Sequence, residues 1–174
     1  MCAKEATVLV RMDIKTIVVA GGPIPSLVVL TPRQRAGNAA VDLPIRIGVV
    51  EAAAISTAAD GHQERPKTHD LLLKTITRLG GKLTGVAIVD VLDTTFYANL
   101  MLEDAGGRRI DIDCRPSDAL ALAVRQGVPI WAEEKVLDAA TMPDFAQVER
   151  DERQQELARF HDFVEDLNAD DFKD

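Results

Sequence analysis

Residues 86–102, VAIVDVLDTTFYANLML, decide how the chain folds. Two runs rich in β-branched, aliphatic and aromatic residues, Val86 to Leu92 and Thr95 to Leu102, flank the polar pair Asp93-Thr94. Such runs around two turn residues predict a β-hairpin. The turn lacks the glycine that short hairpin loops favour, so its type stays open. Downstream, residues 104–107 read as a second turn, into a strand over residues 108–114. Residues 117–126 then predict a helix with Gly127 just past its end, and residues 128–132 a last short strand.

Upstream, Val8, Val10, Met12 and Ile14 alternate with Leu9, Arg11, Asp13 and Lys15, the period of a half-buried strand. Residues 26–30 and 43–47 predict two more strands, separated by a loop. A small helix is expected over residues 49–59. Thr68 reads as the N-cap of another, with Asp70 in its first turn, an apolar stripe of Leu71, Leu72, Ile76 and Leu79, and Gly80-Gly81 as the stop. Strands and helices therefore mix within one domain, residues 1–143. Residues 144–174 predict a helical tail, with Leu157, Phe160, Val164 and Leu167 on one stripe.

Charge separates the same two parts. The chain of 174 residues has a net charge of −8. Residues 144–174 hold 4 Lys+Arg against 11 Asp+Glu, a net of −7, which leaves −1 for the body. Phosphate backbones repel such a tail, so the chain reads as unlike a general nucleic-acid binder, whereas the near-neutral body is compatible with a small anionic site. No apolar run approaches the ~20 residues of a membrane helix. The start has no secretory pattern, and Cys2 and Cys114 make neither a disulfide framework nor a zinc site. A reducing cytoplasm is the expected address, with no membrane partner.

Two helix starts share a format, Arg65-Pro66-Lys67-Thr68-His69-Asp70 and Arg115-Pro116-Ser117-Asp118. Each joins an arginine, a restraining proline, a hydroxyl and an early aspartate. These are the parts of a helix cap, and caps are commoner than sites. The same parts, free N–H groups beside a guanidinium, also hold phosphate. By strand alternation Ile110, Ile112 and Cys114 share one face, and Asp111, Asp113 and Arg115 the other. Asp113 and Asp118 are then expected close together, where Mg²⁺ or Mn²⁺ would find hard oxygen ligands. The alternative is a solvated face of Asp–Arg pairs. His69, in a first helical turn, is disfavoured as a cation there and suits general-base work, or else packs against a turn. Ser117 has no local base, and no nucleotide-binding loop, dinucleotide fingerprint, zinc-protease or serine-hydrolase motif is present.

These motifs resemble the bifunctional nuclease domain of bacteria and plants. The resemblance rests on Pro44-Ile45-Arg46-Ile47-Gly48, Glu51-Ala52-Ala53-Ala54-Ile55, Arg65-Pro66-Lys67-Thr68-His69-Asp70-Leu71-Leu72 and Thr95-Phe96-Tyr97-Ala98. Its sharpest part is Asp113-Cys114-Arg115-Pro116-Ser117-Asp118-Ala119-Leu120-Ala121-Leu122-Ala123, with Pro129-Ile130 following. It runs over most of residues 8–140, with Lys67 and Thr94 as departures. The resemblance implies a compact α+β fold with a mixed, largely antiparallel sheet, self-association as a homodimer or larger, and degradation of DNA and RNA. The matching polar positions are Glu51, Arg65, Thr68, His69, Asp70, Asp113, Arg115, Ser117 and Asp118. The resulting expectation is a metal-dependent nuclease. His69, Asp70 and Asp118 would be catalytic, Arg65, Arg115 and Ser117 would bind substrate, and Asp113 and Asp118 would hold the metal. The rival is a non-catalytic anion- or nucleotide-binding regulatory oligomer.

Overall fold

The hairpin is present: β4 (Lys82–Leu92) pairs antiparallel with β5 (Thr95–Glu103), and β5 with β6 (Arg109–Cys114). The turn does without glycine because Asp93 itself takes a left-handed φ of 53°, which aspartate tolerates better than most residues. The other half of the sheet comes from β1 (Leu9–Val18), β2 (Ser26–Pro32) and β3 (Leu43–Ile47). The last strand, β7 (Ile130–Glu133), joins the halves in the order β3-β2-β1-β7-β4-β5-β6. It runs antiparallel to β1 and parallel to β4, and the other pairings are antiparallel. With helices α1 (Val49–Ser56), α2 (Thr68–Arg78), α3 (Pro116–Gln126) and α4 (Glu134–Ala140), the fold is α+β. The computed structural model describes residues 8–19, 25–33, 42–57 and 65–140. By contacts the chain divides into residues 1–140 and 141–174, and the expected helical tail lies outside the described residues.

Strand periodicity places the core. Phe96, Ala98, Leu100 and Leu102 of β5 are buried and alternate with more exposed Tyr97, Asn99 and Met101. In β3, Leu43, Ile45 and Ile47 do the same around Pro44 and Arg46. Central β4 breaks the period, since Val86, Ala87 and Ile88 are buried consecutively. Both of its faces are covered there. On the face opposite Val86 and Ile88, Gly85 lies under Met101 and Trp131, and a Cβ at Gly85 would come 3.4 Å from the Met101 sulfur and the Trp131 Nε1.

α3 is the central helix. Pro116, Ser117 and Ala119 to Ala123 are all buried, and its alanines let it settle against β4, β5, α1 and α2. Leu120 and Leu122 are fully buried, and each contributes about 2 kcal/mol of apolar burial. Gly127 ends the helix at φ 68°, donating its N–H to the Ala123 carbonyl.

α2 departs from expectation in two ways. Its N-cap is Lys67, not Thr68, and Asp70 accepts the Lys67 N–H through Oδ2 at 3.0 Å. No residue of α2 is fully buried, and Leu71, Leu72 and Leu79 of the predicted inner stripe are exposed. α4 was not expected, because seven residues after a strand are too few to show a helical period. Among the described residues, no helix is long and apolar enough to cross a membrane.

Candidate functional site

Three helix starts converge. α1 contributes Glu51, α2 His69, and α3 the pair Arg115 and Asp118. Arg115 is the N-cap of α3 in extended geometry, and Pro116 sits at the first helical position, where its missing N–H is no loss. From there the Arg115 Nε donates to Asp118 Oδ2 at 2.8 Å and its Nη2 to Asp118 Oδ1 at 3.2 Å. Its Nη1 reaches back to Glu51 Oε1 at 3.2 Å. Asp118 Oδ1 also lies 3.2 Å from His69 Nε2. The result is one chain of contacts, Glu51–Arg115–Asp118–His69.

Electrostatics fix the proton positions. Burial opposes ionisation of Asp118, but the hydrogen bonds and charges of Arg115 and His69 outweigh it, and the carboxyl is held below its ordinary value. An ionised carboxylate only accepts, so His69 Nε2 carries the proton and donates it, leaving Nδ1 as the ring's acceptor when the ring is neutral. Because the folded value is the lower one, this pairing stabilises the fold above the ordinary carboxylate range and is lost as pH falls through the lowered value. The hydrogen bonds that Arg115 donates to Asp118 in turn raise its own value, with Glu51 adding to the effect. Of the five N–H groups of a guanidinium, Arg115 uses three in these bonds, and its side chain is 66% exposed. Two N–H groups remain for an anion.

Beside Arg115 lies a cleft of about 290 Å³. Arg46, Gly48 and Glu51 form one wall, Thr94 to Phe96 of the hairpin another, and Arg115 to Ser117 the third. Glu51 folds over Gly48 so closely that a Cβ there would collide with its carboxylate. His69 and Asp118 are outside this lining, joined to it through the Arg115 guanidinium. Arg115 therefore both lines an open cleft and bonds the aspartate of a half-buried Asp–His pair.

The expected residues are not all brought together. Cys114 pairs with buried Ala98 on the side facing α3, so Asp113, paired with Asn99, points to the opposite face of the sheet. Strand alternation was read correctly, but Arg115 leaves the strand and turns back with the helix, which separates it from Asp113. Asp70 is engaged elsewhere, with Oδ2 on the Lys67 N–H and Oδ1 on Arg125 Nε at 2.9 Å. Arg65 is exposed and makes no ion pair among the described residues. Ser117 lines the cleft but is not the cap, being the second residue of α3.

A divalent cation does not fit this donor set. Asp113 faces away, both Asp118 oxygens are bonded to Arg115, and the described residues hold no group of three or more His, Cys, Asp or Glu arranged around a common point. Cys114 is no substitute, since burial, with the Asp118 and Asp113 charges, pushes its thiol up to about 11. At pH 8 that leaves roughly a hundredfold less thiolate than an unperturbed cysteine has. In a Cys2→Ser variant, iodoacetamide should label the native protein far more slowly than the urea-unfolded one. Equal rates would show that Cys114 is freely ionised.

Sequence reasoning missed Arg125, whose side chain is only 5% exposed, and the hairpin wall of the cleft. An arginine in a last helical turn reads as an ordinary partner of the helix dipole, so nothing singled it out.

Two uncharacterised proteins of Mycobacterium tuberculosis, one from strain CDC 1551 and one from strain H37Rv, are each 43% identical over 136 residues, 75% of this chain and 80% of theirs. The family model described as the bifunctional nuclease domain matches residues 28–144, a span that holds Glu51, His69, Arg115 and Asp118. The chain belongs to the bifunctional nuclease domain family.

Proposed function

We propose that this protein hydrolyses phosphodiester bonds of DNA or RNA at the Arg115 guanidinium. The observation that carries the reading is a cation with two spare N–H groups that lines an open cleft and bonds the aspartate of an Asp–His pair. In this reading Arg115 holds a phosphate oxygen, supported by the N–H of Ser117 in the cleft wall, since Pro116 has no N–H and those of Asp118 and Ala119 already donate to the Arg115 carbonyl. Glu51 and Asp118 fix the guanidinium from both ends. His69 Nδ1 takes a proton from the attacking water, and Asp118 steadies the imidazolium that forms. The water oxygen bonds to phosphorus, the bond to the leaving oxygen breaks, and the proton on His69 is available to that oxygen. The acidic tail would keep non-specific nucleic acid away rather than bind it.

Labelled single- and double-stranded DNA and RNA, incubated with the purified full chain in EDTA, Mg²⁺ or Mn²⁺, test this directly. The Mg²⁺ or Mn²⁺ requirement expected from sequence is measured by the same arms. Arg115→Ala should raise KM at least tenfold and abolish the rise in melting temperature that phosphate gives the wild type. Its own melting temperature should change little, because the side chain is two-thirds exposed and such pairs add little stability. Cleavage that is equal in wild type and Arg115→Ala would place the chemistry elsewhere. Phosphate binding without cleavage of any substrate would favour the anion-binding regulatory reading, which uses the same guanidinium.

A further inference from the structure

We infer that Arg125 is the positioning residue of the cluster, locking together the three helices that carry it. Its Nε donates to Asp70 Oδ1 at 2.9 Å, in the first turn of α2 and next to His69. Its Nη1 donates at 2.9 Å to the carbonyl of Ala54, three residues beyond Glu51 in α1. Arg125 itself stands in the last turn of α3, the helix of Asp118 and Arg115, and the same nitrogen donates at 2.9 Å to the Ala121 carbonyl one turn back. Ala54 is among the last residues of α1, whose carbonyls lack partners within the helix, so the guanidinium closes that helix end.

The helix that needs this lock most is α2. It buries no residue fully, so apolar packing alone holds it loosely against α3 and β4. Asp70 also accepts the Lys67 N–H, which sets where the helix begins. A buried guanidinium bonded to Asp70 thereby fixes the start of α2, and with it the direction in which His69 leaves the helix. Arg125 Nη2 is buried with no partner, so the residue is held for the geometry it imposes rather than for its own full satisfaction.

The consequence for cleavage rests on the nuclease reading above; the consequence for His69 does not. The test uses the full chain with ¹⁵N-labelled histidine, as Arg125→Lys, Arg125→Met and, should Met fail to fold, Asp70→Asn. Circular dichroism confirms the fold, long-range ¹H–¹⁵N spectra report the His69 tautomer, and kinetics give kcat and KM. The expected result is a single Nε2–H tautomer at His69 in the wild type and a tautomer mixture in the folded variants. With it, kcat falls at least tenfold and KM stays within twofold, and Arg125→Lys recovers part of both effects. An unchanged His69 tautomer in a folded variant overturns the inference, whatever happens to kcat. A changed tautomer with unchanged cleavage supports it and instead sinks the nuclease reading of the cluster.

Discussion

Replacing His69 by alanine is expected to slow phosphodiester cleavage by about 10²–10⁴-fold, the usual contribution of a positioned general base. KM should hold near its wild-type value, since Arg115 keeps both its carboxylate partners in this variant. Asp118→Asn should lose a comparable factor for a different reason. An amide is able to present its N–H to His69 and select the wrong tautomer, and it no longer stabilises the imidazolium. The double variant should be little worse than either single one, because the two residues act as one unit. Rates that multiply, or a His69→Ala variant of full activity, would remove His69 from the chemistry.

The largest effect on stability is expected at Arg125. Arg125→Ala removes the partner of Asp70 and leaves the Ala54 carbonyl without its donor. Breaking a buried pair from one side costs about 3 kcal/mol when, as here, the remaining carboxylate keeps some contact with water. Urea unfolding should show the midpoint falling with little change in slope, because the surface exposed on unfolding is nearly the same. A change under about 0.5 kcal/mol would mean that the helices are held by packing alone. The contrast with Arg115 is the informative part. Both arginines pair with an aspartate, but one is 5% and the other 66% exposed, so one loss should appear in stability and the other in binding.

How much of this was legible in the sequence depended on the range of the signal. The β4–β5 hairpin, β6 and α3 follow from local period and turn chemistry, and they came out nearly at their observed bounds, except that β4 begins at Lys82 rather than Val86. The covering of both β4 faces did not, since it depends on Met101 and Trp131 arriving from other strands. Thr68 looked like a cap because hydroxyls favour that position, yet the chain begins the helix one residue earlier and caps it with Asp70. The two Arg-Pro helix starts were visible as motifs, but their unequal fates were not. One arginine turned into the cluster, and the other stayed in solvent. The contact between His69 and Asp118 spans 49 positions, and nothing in either segment announces it. Asp113 was expected beside Asp118 from strand alternation and the junction with the helix, whereas its pairing with Asn99 sets the strand face that carries it.

The most direct measurement is a crystal structure of the full chain with an oligonucleotide whose linkages resist hydrolysis. A non-bridging phosphate oxygen should lie within hydrogen-bond distance of the Arg115 guanidinium, with the strand running through the cleft beside Glu51 and a water between His69 Nδ1 and the phosphorus. An oligonucleotide seated instead on the opposite face of the sheet, against Arg11 and Trp131, with Arg115 still bonded only to Glu51 and Asp118, would contradict the account.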